Sequence, residues 1–362
     1  MPPNHDTTSG TWDRLASRMG PWPYSLAVGL LVLALAALAA QPGLRAESGI
    51  GAAVVALAAD PFGTAPNPLA PRFLTPLLGW CLGLRGERVL ILIAACCVLL
   101  PTVAARWALA RGMGARSAAL VAGALGLTLL TRTSLHYAGV PDVVTYLLVF
   151  GIWVWRARPW VASACFALAL MNHERALFLL PWVMWLLWRE SGASAAGRRA
   201  ILVGLTAAIV LWGLTRFAIL SHREVEHTVG YYWQPMLEDP LVHVRAAWPR
   251  QPLGFLSAFQ WLWLPVVWCA WRLVRDGRHA ELLGLGLPLF CAWLQMFFAY
   301  DSSRLAALAF PCLLPALEMG LSSTGGGWRR WLPAVLVLQI FTPQVFTAAY
   351  IVEVMPRWLL PW

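Results

Sequence analysis

The chain has 362 residues, of which 59% are hydrophobic and 12% charged, with a mean hydropathy of +0.64. A soluble domain carries about twice that charged fraction, so an aqueous globular fold is excluded and the bilayer must serve as solvent. The net charge of +10 rests on 27 arginines and no lysine. These are scattered between apolar runs and form no contiguous stripe, which excludes a nucleic-acid surface.

The polar N-terminus leads into an apolar run over 24–41 that has no cleavage site, so it reads as a retained first span rather than a signal peptide. Arg14 and Arg18 precede it and place the N-terminus on the cytoplasmic side. Residues 42–87 are rich in Pro and Gly and hold one short apolar piece, 74–84, too short to cross. If 74–84 lies on or in the membrane surface, 42–87 is a first external loop with a juxtamembrane helix. The span at 88–105 then delivers Arg106, Arg111 and Arg116 to the cytoplasmic side.

Later spans alternate from there. They fall at 116–131, 141–155, 159–171, 175–188 and 200–219, then, after an external loop at 220–254, at 255–271, 281–299, 303–320 and 331–350. The expected fold is all-α, a polytopic transmembrane bundle of about ten or eleven spans, in a single integral membrane domain over 1–362. The pair 159–171 and 175–188 is short, with Asn172-His173-Glu174-Arg175 at the junction. Two half-length helices meeting there set that group in a depression below the external surface. The seven cysteines fall largely within apolar runs without metal-ligand spacing and read as small buried hydrophobes.

This topology gathers the acid–base chemistry on one side. Outside lie Asp60, Arg72, His136, Asp142, His173, Glu174, Arg175, Tyr231, Asp301 and Arg304, whereas the inner loops hold mostly arginine. Asp60, before Pro61, is a general base or a turn cap. Arg72 is a phosphate clamp or an interfacial anchor. Asp142 opens a span, where a carboxylate also suits the helix dipole. His136 is an acid–base group, a metal ligand or a plain loop residue. His222 and His227 in the run HREVEH stand five apart, not the four a helical zinc site needs, so that motif is rejected. No P-loop occurs, which argues against ATP-driven transport by this chain.

Four features together resemble the membrane glycosyltransferases of the GT-C fold, which take sugars from polyprenyl-phosphate donors. They are the first loop with Asp60 and a helix around Pro71-Arg72-Phe73-Leu74-Thr75-Pro76-Leu77-Leu78, the segment Pro141-Asp142-Val143-Val144-Thr145-Tyr146, the junction Asn172-His173-Glu174-Arg175 followed by Pro181, and Asp301-Ser302-Ser303-Arg304 before a late span. The resemblance is one of layout over most of the chain. It implies a sugar moved to an acceptor hydroxyl on a glycan, lipid or protein at the extracytoplasmic face of a bacterial inner membrane. Asp60, or Glu47, would be the catalytic base, and Arg72, Arg175 or Arg304 would balance the leaving phosphate. The other outward residues, Tyr231 among them, would bind substrate. This reading fixes no cofactor; a divalent metal on Asp60, Glu174 or His173 stays open as an option, though without support from spacing. The rival reading is a transporter or flippase for a lipid-linked or anionic substrate, using the same arginines without bond cleavage.

Overall fold

The computed structural model describes residues 9–43, 45–46, 49–63, 72–222, 234, 237–239, 241–242, 245, 248–298, 301–322, 327–347 and 352–355. Helix α1 (Ser9–Met19) leads directly into α2 (Pro21–Ala40). Pro21 sits in the first turn of α2, where its missing N–H costs nothing, and Gln41 closes the helix in a left-handed conformation with its N–H donating to the Ala37 carbonyl. Next come α3 (Gly49–Ala59), α4 (Leu74–Cys81), the long α5 (Val89–Ala110), α6 (Ala115–Gly126) and α7 (Leu129–His136). Then follow α8 (Asp142–Val154), α9 (Pro159–Asn172), a 3-10 turn at Glu174–Leu179, α10 (Leu180–Ser191) and α11 (Ala195–His222). The last third holds α12 (Gln251–Phe259), α13 (Trp263–Arg275), α14 (His279–Gln295), α15 (Ser302–Ala307), α16 (Leu313–Ser322) and α17 (Gly327–Phe341). A small antiparallel pair, β1 (Gln344–Thr347) and β2 (Val352–Met355), ends the described chain, with Phe346 opposite Glu353.

Among the described residues, five helical stretches are long and apolar enough to cross a membrane: Pro21–Ala40, Gly86–Ala110, Ala195–His222, Gln251–Arg275 and Ser302–Leu321. A sixth arises if α6 and α7, bent by 51° at their junction, count as one broken span. The chain is therefore a multi-pass, all-α integral membrane protein. The other expected spans are not long helices. At about 1.5 Å per residue, α8 and α9 reach only about 20 Å, less than the hydrocarbon thickness.

Several expected boundaries move. The loop 42–87 contains a second helix, α3, an Ala/Val/Gly run of 11 residues lying apart from the apolar piece seen at 74–84. The span expected over 331–350 stops at Phe341, because Pro343 cannot continue the helix, and the chain turns into β1. The stretch 175–188 begins as a 3-10 turn and becomes α-helical only at Leu180. Of the loop at 220–254, much lies outside the described residues. Cys81 is exposed and Cys165 half-buried, whereas the other five cysteines are buried as expected.

The helices pack as a sequential bundle: α2 on α5, α5 on α6 and α8, α8 on α9, and α9 on α11. Small residues allow the close approaches, as expected where lipid supplies no hydrophobic drive between helices. A side chain at Gly29 would collide with Thr102 across the α2–α5 contact, and one at Gly204 would meet Ser163 across α9–α11.

The α8 axis separates two polar regions. Asp142 opens α8, and Arg156 lies just beyond its other end, about 20 Å away. At the Arg156 end, ion pairs join elements distant in sequence: Arg156 to Glu190 at 3.2 Å, Arg111 to Glu318 at 2.6 Å, and Arg189 to Glu281. At the Asp142 end lies the cluster described below.

One glycine sits in the turn that leads into α8 at that cluster. Gly139 has φ +92°, and a Cβ there would lie 2.6 Å from the Gly51 Cα in the first turn of α3. Gly139→Ala is expected to cost about 1–3 kcal/mol, through the left-handed backbone and the clash together. The check is thermal unfolding in detergent; an unchanged Tm would mean that this loop yields freely.

Candidate functional site

Four segments distant in sequence bring their polar side chains to the Asp142 end of the bundle. The first is the residue pair before α4. Arg72 lies against Glu174 in a two-pronged pair, Nε to Oε2 at 3.0 Å and Nη2 to Oε1 at 2.5 Å. Burial pushes the Glu174 carboxyl up, but the Arg72 guanidinium beside it more than reverses this and holds it well below the usual carboxylate range.

The second and fourth segments are the N-termini of α8 and α15. Arg304 grips Asp142 with both prongs, Nε to Oδ2 at 2.5 Å and Nη2 to Oδ1 at 2.9 Å. Its third nitrogen, Nη1, donates to Asp301 Oδ2 at 2.9 Å, while Asp301 Oδ1 accepts from the Arg304 backbone N–H at 3.4 Å and caps α15. Asp142 and Asp301 both stand at helix N-termini, where a carboxylate is favourable.

The third segment is the break between α9 and α10. Asn172 holds it in place. Its Oδ1 accepts from Thr75 Oγ1 at 2.5 Å, and its Nδ2 donates to the Pro141 carbonyl at 3.0 Å and to Thr145 Oγ1 at 2.8 Å. One buried amide thus joins α4, the turn before α8, α8 itself and α9.

His173 follows in extended conformation (φ −156°, ψ 119°), and its Nδ1 accepts from the Arg175 backbone N–H at 3.3 Å. Burial and the Arg72 charge hold the His173 imidazole well below its ordinary pKa, so it is neutral. A neutral imidazole that accepts at Nδ1 carries its proton on Nε2. That Nε2–H is buried, has no hydrogen-bond partner, and lies 3.9 Å from Asp142 Oδ1.

Asp142, Thr145, Tyr146, His173, Arg175, Arg304 and Leu308 line a narrow, partly open cleft. Three of these residues bring uncommitted donors to it. Besides His173 Nε2–H, neither the Arg175 guanidinium nor the Tyr146 hydroxyl has a hydrogen bond among the described residues; the Tyr146 ring itself packs on Phe310 at 5.9 Å. The carboxylates at the site are already engaged: both oxygens of Asp142, Glu174 and Asp301 accept from Arg304 or Arg72. The uncommitted polar groups at the cleft are therefore hydrogen-bond donors.

Of the residues picked from sequence, Arg72, Asp142, His173, Glu174, Arg175, Asp301 and Arg304 come together here. Others do not join them. Asp60 is exposed at the end of α3, outside the cleft lining, where its Oδ1 accepts from the Phe62 N–H at 3.1 Å and its Oδ2 accepts no hydrogen bond among the described residues. His136 turns toward other partners, with Nδ1 2.7 Å from the Ala40 carbonyl and Nε2 3.5 Å from Glu353 Oε1, while the Tyr137 hydroxyl donates to Glu353. Tyr231 and Glu47 lie outside the described residues. The described residues hold no group of three His, Cys, Asp or Glu side chains arranged for a metal. In sequence, Asn172 reads as part of the polar junction but not as a site residue, and Thr145 and Tyr146 do not stand out individually. The last two lie three and four residues past Asp142, on its own helix face, a spacing that could have flagged them.

No family model matches the chain, and neither a curated protein nor a solved structure does. Fold and site together define the class: a polytopic α-helical membrane protein with a donor-lined cleft at one end of its bundle.

Proposed function

We propose that this protein is a membrane glycosyltransferase, moving a sugar from a polyprenyl-phosphate donor to an acceptor hydroxyl at the extracytoplasmic face of the bilayer. The observation that carries the reading is the convergence of Arg175, His173 Nε2–H and Tyr146 O–H on one cleft whose carboxylates are all engaged. A phosphodiester seated there meets the donors of Arg175, His173 and Tyr146, beside an Asp142 carboxylate already paired with Arg304. A lipid leaving group suits a site placed at helix ends within a membrane protein.

In the reaction, the acceptor oxygen attacks the anomeric carbon and the carbon–oxygen bond to phosphate breaks. The bonding pair stays on the phosphate oxygen, and the configuration inverts. Negative charge on the phosphate rises as this bond breaks, so a fixed guanidinium stabilises the transition state more than the ground state. The acceptor proton goes to a carboxylate with an uncommitted oxygen. Asp60 has such an oxygen among the described residues, whereas the carboxylates at the cleft do not. Because Asp60 stands outside the cleft lining, this role requires an acceptor whose hydroxyl reaches from the end of α3 to the cleft.

The test uses purified protein and a polyprenyl-phosphate sugar, with release of polyprenyl phosphate as the readout. Asp60→Asn is expected to lower turnover by roughly 10²–10⁴, the contribution of a general base, and to leave donor binding intact. Turnover that survives Asp60→Asn removes Asp60 from this role. Donor bound or moved across the bilayer without bond cleavage assigns the cleft to a flippase instead.

A further inference from the structure

The opposite end of the bundle carries a surface that the transferase reading does not use. Trp12, Leu15 and Met19 fall at i, i+3 and i+7 on α1, and all three are exposed. Trp22, at the start of α2, extends this stripe and has 59% of its surface open.

The helix is nonetheless docked. Asp13 Oδ1 accepts from the Ala115 N–H at 2.8 Å, the Tyr24 hydroxyl donates to the Ala115 carbonyl at 2.8 Å, and Ala16 packs against the core. An apolar stripe left open on an anchored helix needs an occupant. The flanking charges say which. Arg14 and Arg18 are exposed and have no carboxylate partner among the described residues; Arg14 Nε donates only to the Gly10 carbonyl of its own helix. Arg106 stacks over the Trp22 ring at 5.6 Å, and its Nε has no hydrogen bond.

We propose that α1 is an interfacial helix whose partner is the anionic phospholipid headgroup layer. Trp12, Leu15, Met19 and Trp22 enter the acyl boundary, and Arg14, Arg18 and Arg106 engage headgroup phosphates. The stripe runs into the spanning helix α2 without interruption, so the headgroup layer already borders it. Charge complementarity selects acidic lipids over zwitterionic ones.

The experiment places the full chain in nanodiscs of phosphatidylcholine alone, or of phosphatidylcholine with an equal part of phosphatidylglycerol, and follows amide hydrogen exchange over 10–19. Phosphatidylglycerol is expected to raise protection of α1 by roughly 30- to 100-fold, the scale set by two or three arginines at a charged surface. Arg14→Gln with Arg18→Gln should abolish that increment without changing protection in phosphatidylcholine. Both residues are exposed, so folding is not at stake. Equal protection in the two lipids, or an increment that survives the double substitution, overturns the proposal. Protection in both lipids together with a dimer mass by native mass spectrometry gives the stripe to a second copy and overturns it as well.

Discussion

Arg304→Gln is expected to be among the most destabilising single substitutions in this protein, lowering stability by about 3–5 kcal/mol. The reason is the number of charges it holds. Arg304 and Asp142 have side chains only 4% and 5% exposed, and Arg304 also holds Asp301. Glutamine leaves two carboxylates at the site without their cation, in a place where water cannot restore the loss. The desolvation of the three groups is a standing cost of the native state, so the pair adds little net stability, while breaking it on one side is severe. Thermal unfolding in detergent reads the effect. A double substitution, Arg304→Gln with Asp142→Asn, should recover part of the loss, because a neutral amide replaces an orphaned charge. If Arg304→Gln leaves Tm unchanged, the cluster is well hydrated and the account of a buried, fully committed carboxylate fails.

The members of this cluster could be read from sequence, but its pairing could not. Asp142, Asn172 to Arg175 and Asp301 to Arg304 stood out because ionisable residues between apolar runs are costly unless they serve one another or a ligand. Which residue pairs with which depends on contacts across 102 and 162 positions, and periodicity carries no such information. Adjacent in sequence, Glu174 and Arg175 suggest a self-satisfied turn. The fold gives Glu174 to Arg72 instead and leaves Arg175 without a hydrogen-bonded carboxylate, the feature on which the proposed anion site rests.

Other elements escaped for local reasons. Helix α3 is an 11-residue run of small residues, below the length at which hydropathy alone marks a helix in a membrane. The end of the chain read as a last span because its residues are apolar, but Pro343 stops the helix, and the strand pair that follows delivers Glu353 to His136. His136 was grouped with the outward-facing chemistry because its position in the chain is right. Its ring, however, is held by the Ala40 carbonyl and Glu353, partners that no local pattern reveals. The broken helix of α6 and α7 read as one span from composition, since its 51° bend at Leu127–Thr128 depends on side chains that satisfy freed carbonyls. Thr128 donates to the Leu125 carbonyl, Thr131 to that of Gly126, and Gln339 of α17 to that of Leu127.

Arg175→Gln should behave in the opposite way to Arg304→Gln, with Tm within about a degree of wild type and donor turnover lower by roughly 10²–10³, the usual consequence of removing one donor from a developing anion. The contrast rests on a single difference. Arg304 already has its carboxylates, and its removal leaves them stranded; Arg175 has no hydrogen-bonded partner among the described residues, so its removal strands nothing. An arginine that the fold holds at the site with no carboxylate hydrogen-bonded to it is costly in the resting protein, and the cost is relieved when an anion arrives. Glutamine removes both the cost and the binding. Stability should therefore hold or rise slightly, while the binding of a lipid phosphate weakens. Kinetics on the intact chain separate the contributions: a loss mainly in kcat places the guanidinium on charge that develops as the phosphate leaves, whereas a loss mainly in KM places it on ground-state recognition. Arg175→Lys is expected to restore little, since an ammonium on a shorter reach cannot present the planar fork to phosphate. Full activity in Arg175→Gln would show that the open guanidinium faces no reacting group, and the cleft would lose its claim to be the site of transfer.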